Sequence, residues 1–493
     1  MDFLIDGSLG MGALALLFVA LLMALSFEFA NGFHDTANAV ATVIYTHSLS
    51  PTQAVIWSGA WNFLGVLVSS GAVAFGIVAL LPLELVLHVG SDAGFAMIFA
   101  ILLSAILWNV GTWYLGLPAS SSHTLIGSIV GVGLTNSLVS GIRFGEGVNW
   151  GKLDQTIIAL VTSPLIGFVA TALLLLLVKI LIRNPALYRA PEGKAPPPLW
   201  IRSILVLTCT GVSFAHGSND GQKGMGLIML VLVGLVPAAF ALQLATPVDR
   251  LQTIAATAQA AQPILDKAPS AVGLLDSALA DEHISHFLTT GRPDAHTLPS
   301  LAFINARIVR ATASTKSLHD LTTGQRTRLR RDVYLMDAGI AKLVETGAVV
   351  GADAANLREL RARLLPLTDY IPLWVKIAVA VALGLGTMVG WKRIVVTIGE
   401  KIGRSHLTYA QGATAELVTM STIGLADVVG LPVSTTHILS SGIAGAMFAN
   451  HSGLQAATLR NIVLAWVLTI PACMILGSVL FASILFVILR LFG

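Results

Sequence analysis

The sequence predicts an all-α polytopic membrane protein built from two inverted repeats with broken or half helices, plus a small helical insert outside the membrane. Three observations support this fold class. The 493-residue chain is 55% hydrophobic and only 11% charged. Many of its apolar runs are long enough to span a bilayer. Two pairs of related segments recur in its two halves, as expected of a membrane protein built from internal repeats.

The apolar runs predict about ten to twelve membrane crossings. The number is a range because two runs, 201–242 and 459–491, are long enough either to cross twice or to form a broken helix. The first run has no basic region or cleavage pattern, so we expect a spanning helix there and not a removed signal peptide. The runs are 11–30, 54–81, 95–115, 157–182, 201–242, 373–390, 408–429 and 459–491, with shorter helices expected to begin at Pro118 and Pro432.

Charge divides the chain into five segments. The first membrane repeat covers 1–182, and 183–202 is a short basic link expected in the cytoplasm, where short basic loops are favoured. The second repeat begins with 203–245 and ends with 371–493. Between these parts, 246–370 carries charges of both signs with helical apolar spacing, which predicts a water-facing helical insert. Counting crossings places this insert in the periplasm, unless the long run before it crosses twice.

Composition excludes several classes of function. The formal net charge of +3 is small and dispersed, which argues against nucleic-acid binding. The two cysteines, Cys209 and Cys473, lie in apolar segments and match neither a metal-ligand pattern nor a disulfide framework. We therefore interpret both cysteines as packing residues.

The first repeated motif is Gly-Leu-Pro followed by three hydroxyl residues and a histidine, at 116–131 and 430–445. Proline and hydroxyl residues are typical of a helix start, which presents unpaired N–H groups and the positive end of the helix dipole. Such a start binds anions. Small hydroxyl residues also pack helices in membranes, but the repetition favours an oxyanion site. The predicted ligands are Ser120, Ser121, Ser122, Ser434, Thr435 and Thr436.

The second repeated motif, Phe-Ala-x-Gly-x-x-Asp, puts Asp35 and Asp220 inside apolar sequence. Burying a carboxylate in lipid costs at least ~2.5 kcal/mol, so a buried acid needs a cation, a partner or water. These residues could instead cap helices at the membrane surface, but two matched copies favour a cation site. Gly32 and Gly217 predict a helix break there that frees backbone carbonyls for the cation. Nearby amides extend the predicted ligand set to Asn31, Asn38 and Asn219.

A third group of residues is predicted to relay protons or balance charge. Histidine can carry a proton near neutral pH, although a buried histidine is about as often only a packing residue. Lys223 could balance Asp220 or the anion, or could extend to a membrane interface. Intramembrane acids can act as proton relays or ion-pair partners. The group comprises His34, His123, His437, Lys223, Glu28 and Glu416.

The two motif pairs resemble those of the inorganic phosphate transporter (PiT) family, whose halves each carry Gly-x-Asn-Asp-x-x-Asn and Gly-Leu-Pro-x-Ser-x-x-His. The resemblance covers nearly all of the membrane portion and is greatest for the bacterial low-affinity branch. His34 and Lys223 stand where the family usually has Asn, which argues against a sodium site. The resemblance implies cation and phosphate handling by Asp35, Asn38, Asn219 and Asp220, and a phosphate site lined by Ser121, Ser122, Thr435 and Thr436.

The resulting hypothesis is a secondary active transporter of the bacterial inner membrane. It would take up inorganic phosphate with protons, as a neutral complex with Mg²⁺, Ca²⁺ or Zn²⁺, and it would need no tightly bound cofactor. Its expected partners are phosphate and membrane lipid, with no nucleic acid, and a homodimer is the assembly we consider.

Three alternatives stay open at this point. A sodium-coupled phosphate symporter and a permease for sulfate or another oxyanion would use the same donor-rich site. An intramembrane hydrolase is disfavoured, because H-E-x-x-H and G-x-S-x-G are absent from the sequence and each candidate residue has a partner in the other repeat.

Overall fold

The computed structural model describes residues 10–81, 85, 91–145, 148–191, 193, 195–267 and 276–491, without the side chains of residues 36–38 and 491. Within these residues the secondary structure is helical, apart from one isolated bridge between Gly403 and Leu454. The predicted all-α class is therefore confirmed. The α-helices are α1 (Met11–Tyr45), α2 (Pro51–Val68), α3 (Ala72–Val78), α4 (Asp92–Tyr114), α5 (Ser121–Val139), α6 (Trp150–Leu181), α7 (Leu199–Leu235), α8 (Pro237–Phe240), α9 (Val248–Leu265), α10 (Ser277–Thr290), α11 (Thr297–Ala313), α12 (Thr323–Glu345), α13 (Gly351–Leu364), α14 (Leu373–Met388), α15 (Lys392–Glu400), α16 (Tyr409–Val428), α17 (Thr435–Ala449) and α18 (Ala456–Leu491).

Five helices are long and apolar enough to span a membrane: α1, α4, α6, α7 and α18. Two bent pairs, α2 with α3 and α14 with α15, raise the number to seven if each pair is one broken span; their bends are 75° and 64°. The described part of the chain thus has several candidate spans, as a multi-pass membrane protein requires.

This number is lower than the ten to twelve crossings expected from the apolar runs. Each of the two runs that could have crossed twice forms one continuous helix, with 37 residues in α7 and 36 in α18. In addition, α17 has only 15 residues, fewer than the ~20 that a span needs.

The predicted helix breaks at Gly32 and Gly217 are wrong, because α1 and α7 continue through both positions. The two glycines instead allow neighbouring helices to approach closely. A methyl group on Gly32 would lie 2.9 Å from the backbone nitrogen of Thr387 in α14, and one on Gly217 would lie 2.7 Å from the Cα of Asn62 in α2. Helices α1 and α7, which carry Asp35 and Asp220, therefore pack backbone to backbone against α14 and α2. These are the longer helices of the two bent pairs.

The helices that carry the Gly-Leu-Pro motifs pack reciprocally. Helix α5 packs along α18, and α17 packs along α6. Each motif helix thus lies against the long helix that follows the other copy. Gly131 of α5 lies against Met474, and Gly445, its counterpart in the sequence repeat, lies against Phe168. The inverted orientation of the two repeats stays a prediction.

Residues Met229–Tyr370 belong to a separate compact unit with its own apolar core. Within it, α9 packs on α11 and α13, and α11 packs on α12. The Arg307 guanidinium bridges the carboxylates of Asp281, at 2.6 Å, and Asp332, at 2.5 Å. Burial raises the pKa of Asp332 to about 7; Arg307 lowers it only in part, and Asp281 raises it further. That 246–370 lies outside the membrane stays a prediction.

Candidate functional site

The two Gly-Leu-Pro helices begin later than the sequence predicts. Helix α5 begins at Ser121 and α17 at Thr435, so the expectation that they start at Pro118 and Pro432 is wrong by three residues. The prolines lie in the non-helical links that lead to each helix start.

Ser120 and Ser434 are the N-caps of these two helices. Their Oγ atoms accept hydrogen bonds from the backbone N–H groups of His123 and His437, both at 3.2 Å. A capping hydroxyl satisfies one of the unpaired N–H groups at a helix start. In this arrangement both hydroxyl oxygens are occupied by their own helices, whereas the next residues, Ser121 and Thr435, lie at the first helical positions.

The two signature acids meet at Ser121. Its Oγ lies 3.1 Å from Asp35 Oδ2 and 3.4 Å from Asp220 Oδ2, so its single proton serves one carboxylate at a time. Thr436 of the other motif helix donates to Asp35 Oδ1 at 2.6 Å. Asp35 and Asp220 are 3% and 1% exposed. Helices α1, α5, α7 and α17 thus converge on one buried pair of carboxylates.

Cationic and imidazole groups surround this pair. Lys223 Nζ lies 2.8 Å from Asp220 Oδ2 and 3.4 Å from Ser121 Oγ. His34 Nδ1 lies 3.3 Å from Asp35 Oδ1, and its Nε2 lies 3.2 Å from the Thr112 hydroxyl. The predicted charge balance between Lys223 and Asp220 therefore has the geometry of a buried ion pair.

His216 belongs to this cluster although the predicted ligand set did not include it. Its Nε2 lies 3.4 Å from Asp220 Oδ2 and 4.0 Å from Asp35 Oδ2. The ligand atoms of Asp35, His216 and Asp220 all lie within 4.8 Å of one another, close enough to hold a metal ion. The sequence contained a signal for this contact, because His216 precedes Asp220 by one helical turn.

Several other predicted residues contact the edge of the cluster or each other. Ser122 Oγ donates to the carbonyl of Val433 at 2.7 Å, and Asn219 Nδ2 donates to the carbonyl of Leu431 at 3.2 Å. These bonds tie α5 and α7 to the link before α17. Thr435 Oγ1 is buried and has no hydrogen-bond partner among the described residues.

The two motif histidines stack on one another. The ring centroids of His123 and His437 are 4.4 Å apart, and the Trp466 ring stacks on His437 at 4.0 Å. Trp466 Nε1 also donates to the carbonyl of Pro118 at 3.2 Å. These contacts fasten the two helix starts together.

The two predicted glutamates have different surroundings. Glu28 accepts a 2.6 Å hydrogen bond from the backbone N–H of Gly224, next to Lys223. Glu416 instead accepts hydrogen bonds from the hydroxyls of Thr42 and Thr208. Among the described residues, no hydrogen bond joins Glu416 to another predicted site residue.

Two predicted amides remain, Asn31 and Asn38. Asn31 is buried, and the side chain of Asn38 lies outside the described residues.

A polar network beside the site was not predicted. Asp427 accepts hydrogen bonds from Ser218 Oγ at 2.7 Å and from Gln222 Nε2 at 2.6 Å. Gln222 Oε1 in turn accepts from the backbone N–H of Val73 at 2.9 Å. Sequence spacing connects only Ser218 and Gln222, one helical turn apart in α7, because Val73 and Asp427 come from α3 and α16.

Comparison with known proteins identifies the family. Residues 31–477 match the sequence model described as the Phosphate transporter family. The chain belongs to this family. The resemblance found in the motifs is thereby confirmed.

Relatives within this family are similar over almost the whole chain. The chain is 41% identical to the low-affinity inorganic phosphate transporter PitA of Escherichia coli (strain K12), over 94% of this chain and 96% of that protein. It is also 41% identical to PitB of the same strain, with the same coverage. A low-affinity inorganic phosphate transporter of Buchnera aphidicola subsp. Acyrthosiphon pisum is 40% identical, over 96% of this chain and 97% of that protein. These relatives are named as transporters and not as enzymes.

A solved structure supports the fold. The chain described as "The sodium-dependent phosphate transporter" aligns with a TM-score of 0.53 at 20% identity, over 97% of this chain and 100% of that chain. Together with bacterial relatives and the candidate membrane spans, these findings make this member of the phosphate transporter family a multi-pass protein of the bacterial inner membrane.

Proposed function

We propose that this protein takes up inorganic phosphate by symport with protons and carries it as a neutral metal-phosphate complex. One observation carries the proposal: hydroxyls suited to an oxyanion and carboxylates suited to a cation share a single buried site at Ser121. The names of the relatives, low-affinity inorganic phosphate transporters, support phosphate as the oxyanion.

The hydroxyl side of the site would bind phosphate. Ser121 and Thr435 lie at the first positions of α5 and α17, where backbone N–H groups and the helix dipole favour an anion. The buried Thr435 hydroxyl, which has no hydrogen-bond partner among the described residues, is a free donor for a phosphate oxygen. Thr436 would complete this set, while Ser120 and Ser434 would act through the helix starts that they cap.

The charge balance favours co-transport of a cation. Asp35, Asp220 and Lys223 together carry a formal charge of −1, from two carboxylates and one ammonium. A divalent phosphate alone would add two further negative charges to a site that is shielded from water, which is strongly unfavourable. A divalent metal bound to that phosphate would cancel the added charge.

Lys223 supports protons over sodium as the coupling ion. Its ammonium lies 2.8 Å from Asp220 and already neutralises that carboxylate. Less negative charge is therefore left to attract a sodium ion at the second signature. His34 places an imidazole next to the Asp35 carboxylate, and an imidazole and a carboxylate are both groups that can carry a proton.

Radiolabelled phosphate uptake into proteoliposomes tests the proposal. We expect an imposed proton gradient to drive uptake and Mg²⁺ to increase it. Uptake driven by a sodium gradient alone would overturn the proton coupling, and sulfate uptake without phosphate uptake would overturn the substrate. Protein-free liposomes and liposomes with collapsed gradients are the controls.

A further inference from the structure

The orientation of His216 is fixed by a chain of three hydrogen bonds. The Thr387 hydroxyl donates to the carbonyl of Leu383 at 2.9 Å. Because that bond uses the only hydroxyl proton of Thr387, its Oγ1 can only accept from Asn62, and Asn62 Nδ2 lies 3.1 Å away. Asn62 therefore turns its carbonyl oxygen to His216 Nδ1, at 2.8 Å. Because Asn62 Oδ1 can only accept, His216 must carry a proton on Nδ1.

This tautomer leaves His216 Nε2 facing the two signature acids. His216 is 2% exposed, and Nε2 has no hydrogen-bond partner among the described residues. A neutral imidazole would direct the Nε2 lone pair towards carboxylate oxygens of Asp220 and Asp35, at 3.4 Å and 4.0 Å. The Lys223 ammonium, 2.8 Å from Asp220 Oδ2, offsets part of the repulsion among these three electron-rich atoms, and a metal ion between them would offset the rest.

The spacing of the three atoms suits a metal ion. Two ligands that are each ~2.1 Å from a tetrahedral zinc ion lie about 3.4 Å apart, as His216 Nε2 and Asp220 Oδ2 do. Asp35 Oδ2 lies slightly farther out and also borders Ser121 Oγ, at 3.1 Å. One nitrogen and two carboxylate oxygens would leave a fourth position for a phosphate oxygen, beside the hydroxyls.

We propose that His216, Asp35 and Asp220 bind the metal that accompanies phosphate, and that Asn62 is the positioning residue that holds His216 in its metal-binding tautomer. The inference rests on the proposed metal-phosphate cargo and names its class: a divalent metal that accepts a nitrogen ligand, with Zn²⁺ as the best fit. Imidazole suits zinc, whereas Mg²⁺ prefers oxygen ligands and keeps several waters.

Equilibrium binding of ⁶⁵Zn²⁺ to the purified full chain in nanodiscs, without phosphate, tests this site. We expect the wild type to bind Zn²⁺ and to release it only to at least a 100-fold excess of Mg²⁺. His216→Gln should weaken Zn²⁺ binding by at least 10-fold. Asn62→Leu should weaken it by about 10- to 100-fold, as is usual when a metal-bound histidine loses its orienting partner.

Two further variants make the positioning role specific. Asn62→Asp keeps an acceptor for His216 Nδ1 and should restore most of the Zn²⁺ affinity lost in Asn62→Leu. His451→Gln removes an exposed histidine and should leave the affinity unchanged, which controls for zinc bound at the surface. Size-exclusion elution checks that each variant is folded.

A measurement without any substitution covers the case in which a variant does not fold. Pulsed electron paramagnetic resonance of Mn²⁺ bound to the wild type should show coupling to a histidine ¹⁴N nucleus. Absence of that coupling, or a Zn²⁺ affinity unchanged in His216→Gln, would overturn the metal site and leave His216 as a charge partner of Asp220. Equal affinities of Asn62→Leu and wild type would overturn the positioning role.

Failure of this inference can be told apart from failure of the proposed function. If His216→Gln loses Zn²⁺ binding but still takes up phosphate with Mg²⁺, the metal site and phosphate symport both hold. If the wild type takes up no phosphate under any gradient yet binds Zn²⁺ through nitrogen, the metal site holds and the proposed function does not. A Zn²⁺ affinity that His216→Gln leaves unchanged, together with normal phosphate uptake by the wild type, contradicts only the inference.

Discussion

The two signature motifs place the same acid in different surroundings. At 32–38, Asp35 receives hydrogen bonds from the hydroxyl of Thr436 and borders the hydroxyl of Ser121. At 217–223, Asp220 pairs with the ammonium of Lys223, three residues further along the same helix. Both copies of the motif thus have the carboxylate, and the second copy has Lys223 where the first has Asn38.

This difference teaches how one buried site can hold two acids. A carboxylate beside a fixed ammonium is balanced by the protein itself, whereas the Asp35 carboxylate borders the hydroxyls of Ser121 and Thr436 and the imidazole of His34. We therefore expect the loss of the Asp220 carboxylate to destabilise the protein more than the loss of the Asp35 carboxylate. The difference between the two copies can be tested by substitution, beginning with the variants of largest expected effect.

Neutralising either acid should abolish phosphate uptake, but with different effects on stability. Asp220→Asn leaves the Lys223 ammonium buried without its carboxylate, which costs about 3–5 kcal/mol. Asp35→Asn keeps an oxygen that can accept from the Thr436 and Ser121 hydroxyls and should cost less, about 1.5–3 kcal/mol for the weakened hydrogen bonds to a charged group. Uptake into proteoliposomes and thermal denaturation of the purified protein measure the two effects.

A second substitution measures the contribution of the Lys223 ammonium left unpaired in Asp220→Asn. Adding Lys223→Met to Asp220→Asn should restore much of the stability without restoring uptake. If the two single Asn variants lose equal stability, or if both transport normally, the distinction between the two acids is wrong.

Equivalent hydroxyls of the two motif helices should differ in their effect on transport. Thr436 donates to the Asp35 carboxylate, and its repeat counterpart Ser122 donates to the Val433 carbonyl. A hydrogen bond to a charged group contributes about 1.5–3 kcal/mol, against about 1 kcal/mol for a neutral one. We expect Thr436→Val to raise the apparent KM for phosphate by about 10-fold or more. Ser122→Ala should mainly lower stability, and an equal rise in KM for both variants would contradict the comparison.

In the insert, two acids, Asp281 and Asp332, also share one cation, Arg307, and the expected effect there is smaller. Burial raises the pKa of Asp332 to about 7 from 3.8, so the folded state holds this proton more tightly than the unfolded state. The resulting stabilisation is complete below pH 3.8 and is lost as the pH rises through 7, with a slope of at most about 1.4 kcal/mol per pH unit.

Hydrogen exchange of α12, corrected for its intrinsic pH dependence, measures this effect. We expect the protection of wild-type α12 to fall between pH 5 and pH 8, and we expect Asp332→Asn to remove much of that fall. A pH dependence that is identical in both proteins would show that Asp332 does not titrate in this range.

The sequence predicted the class of the fold, and it identified residues that the structure brings together, because both depend on local patterns. Long apolar runs require spanning helices, and a motif that occurs twice identifies residues such as Asp35, Asp220 and Ser121 without any knowledge of their distances. The pairing of Lys223 with Asp220 could also be predicted, since a residue three positions after Asp220 lies on the same face of the helix.

Other features depend on contacts that no local pattern specifies. Gly32 and Gly217 were interpreted as helix breaks, whereas each fits the backbone of a helix distant in sequence. The role of Asn62 in orienting His216 depends on a bond across two helices. Helix starts were misplaced by three residues because a serine cap, and not the proline, sets the first turn.

The reciprocal packing of the motif helices has a consequence for how the chain is made. Synthesis proceeds from the N-terminus, so α5 and α6 leave the ribosome long before α17 and α18, the helices they pack against. Until α17 and α18 are made, the surfaces of α6 and α5 that pack against them lack these partners. The packing of the first half is therefore complete only after synthesis of the last 59 residues of the sequence, from Thr435 onwards. A chain that ends before Thr435 therefore lacks one helix of each of the two packed pairs, α5 with α18 and α6 with α17.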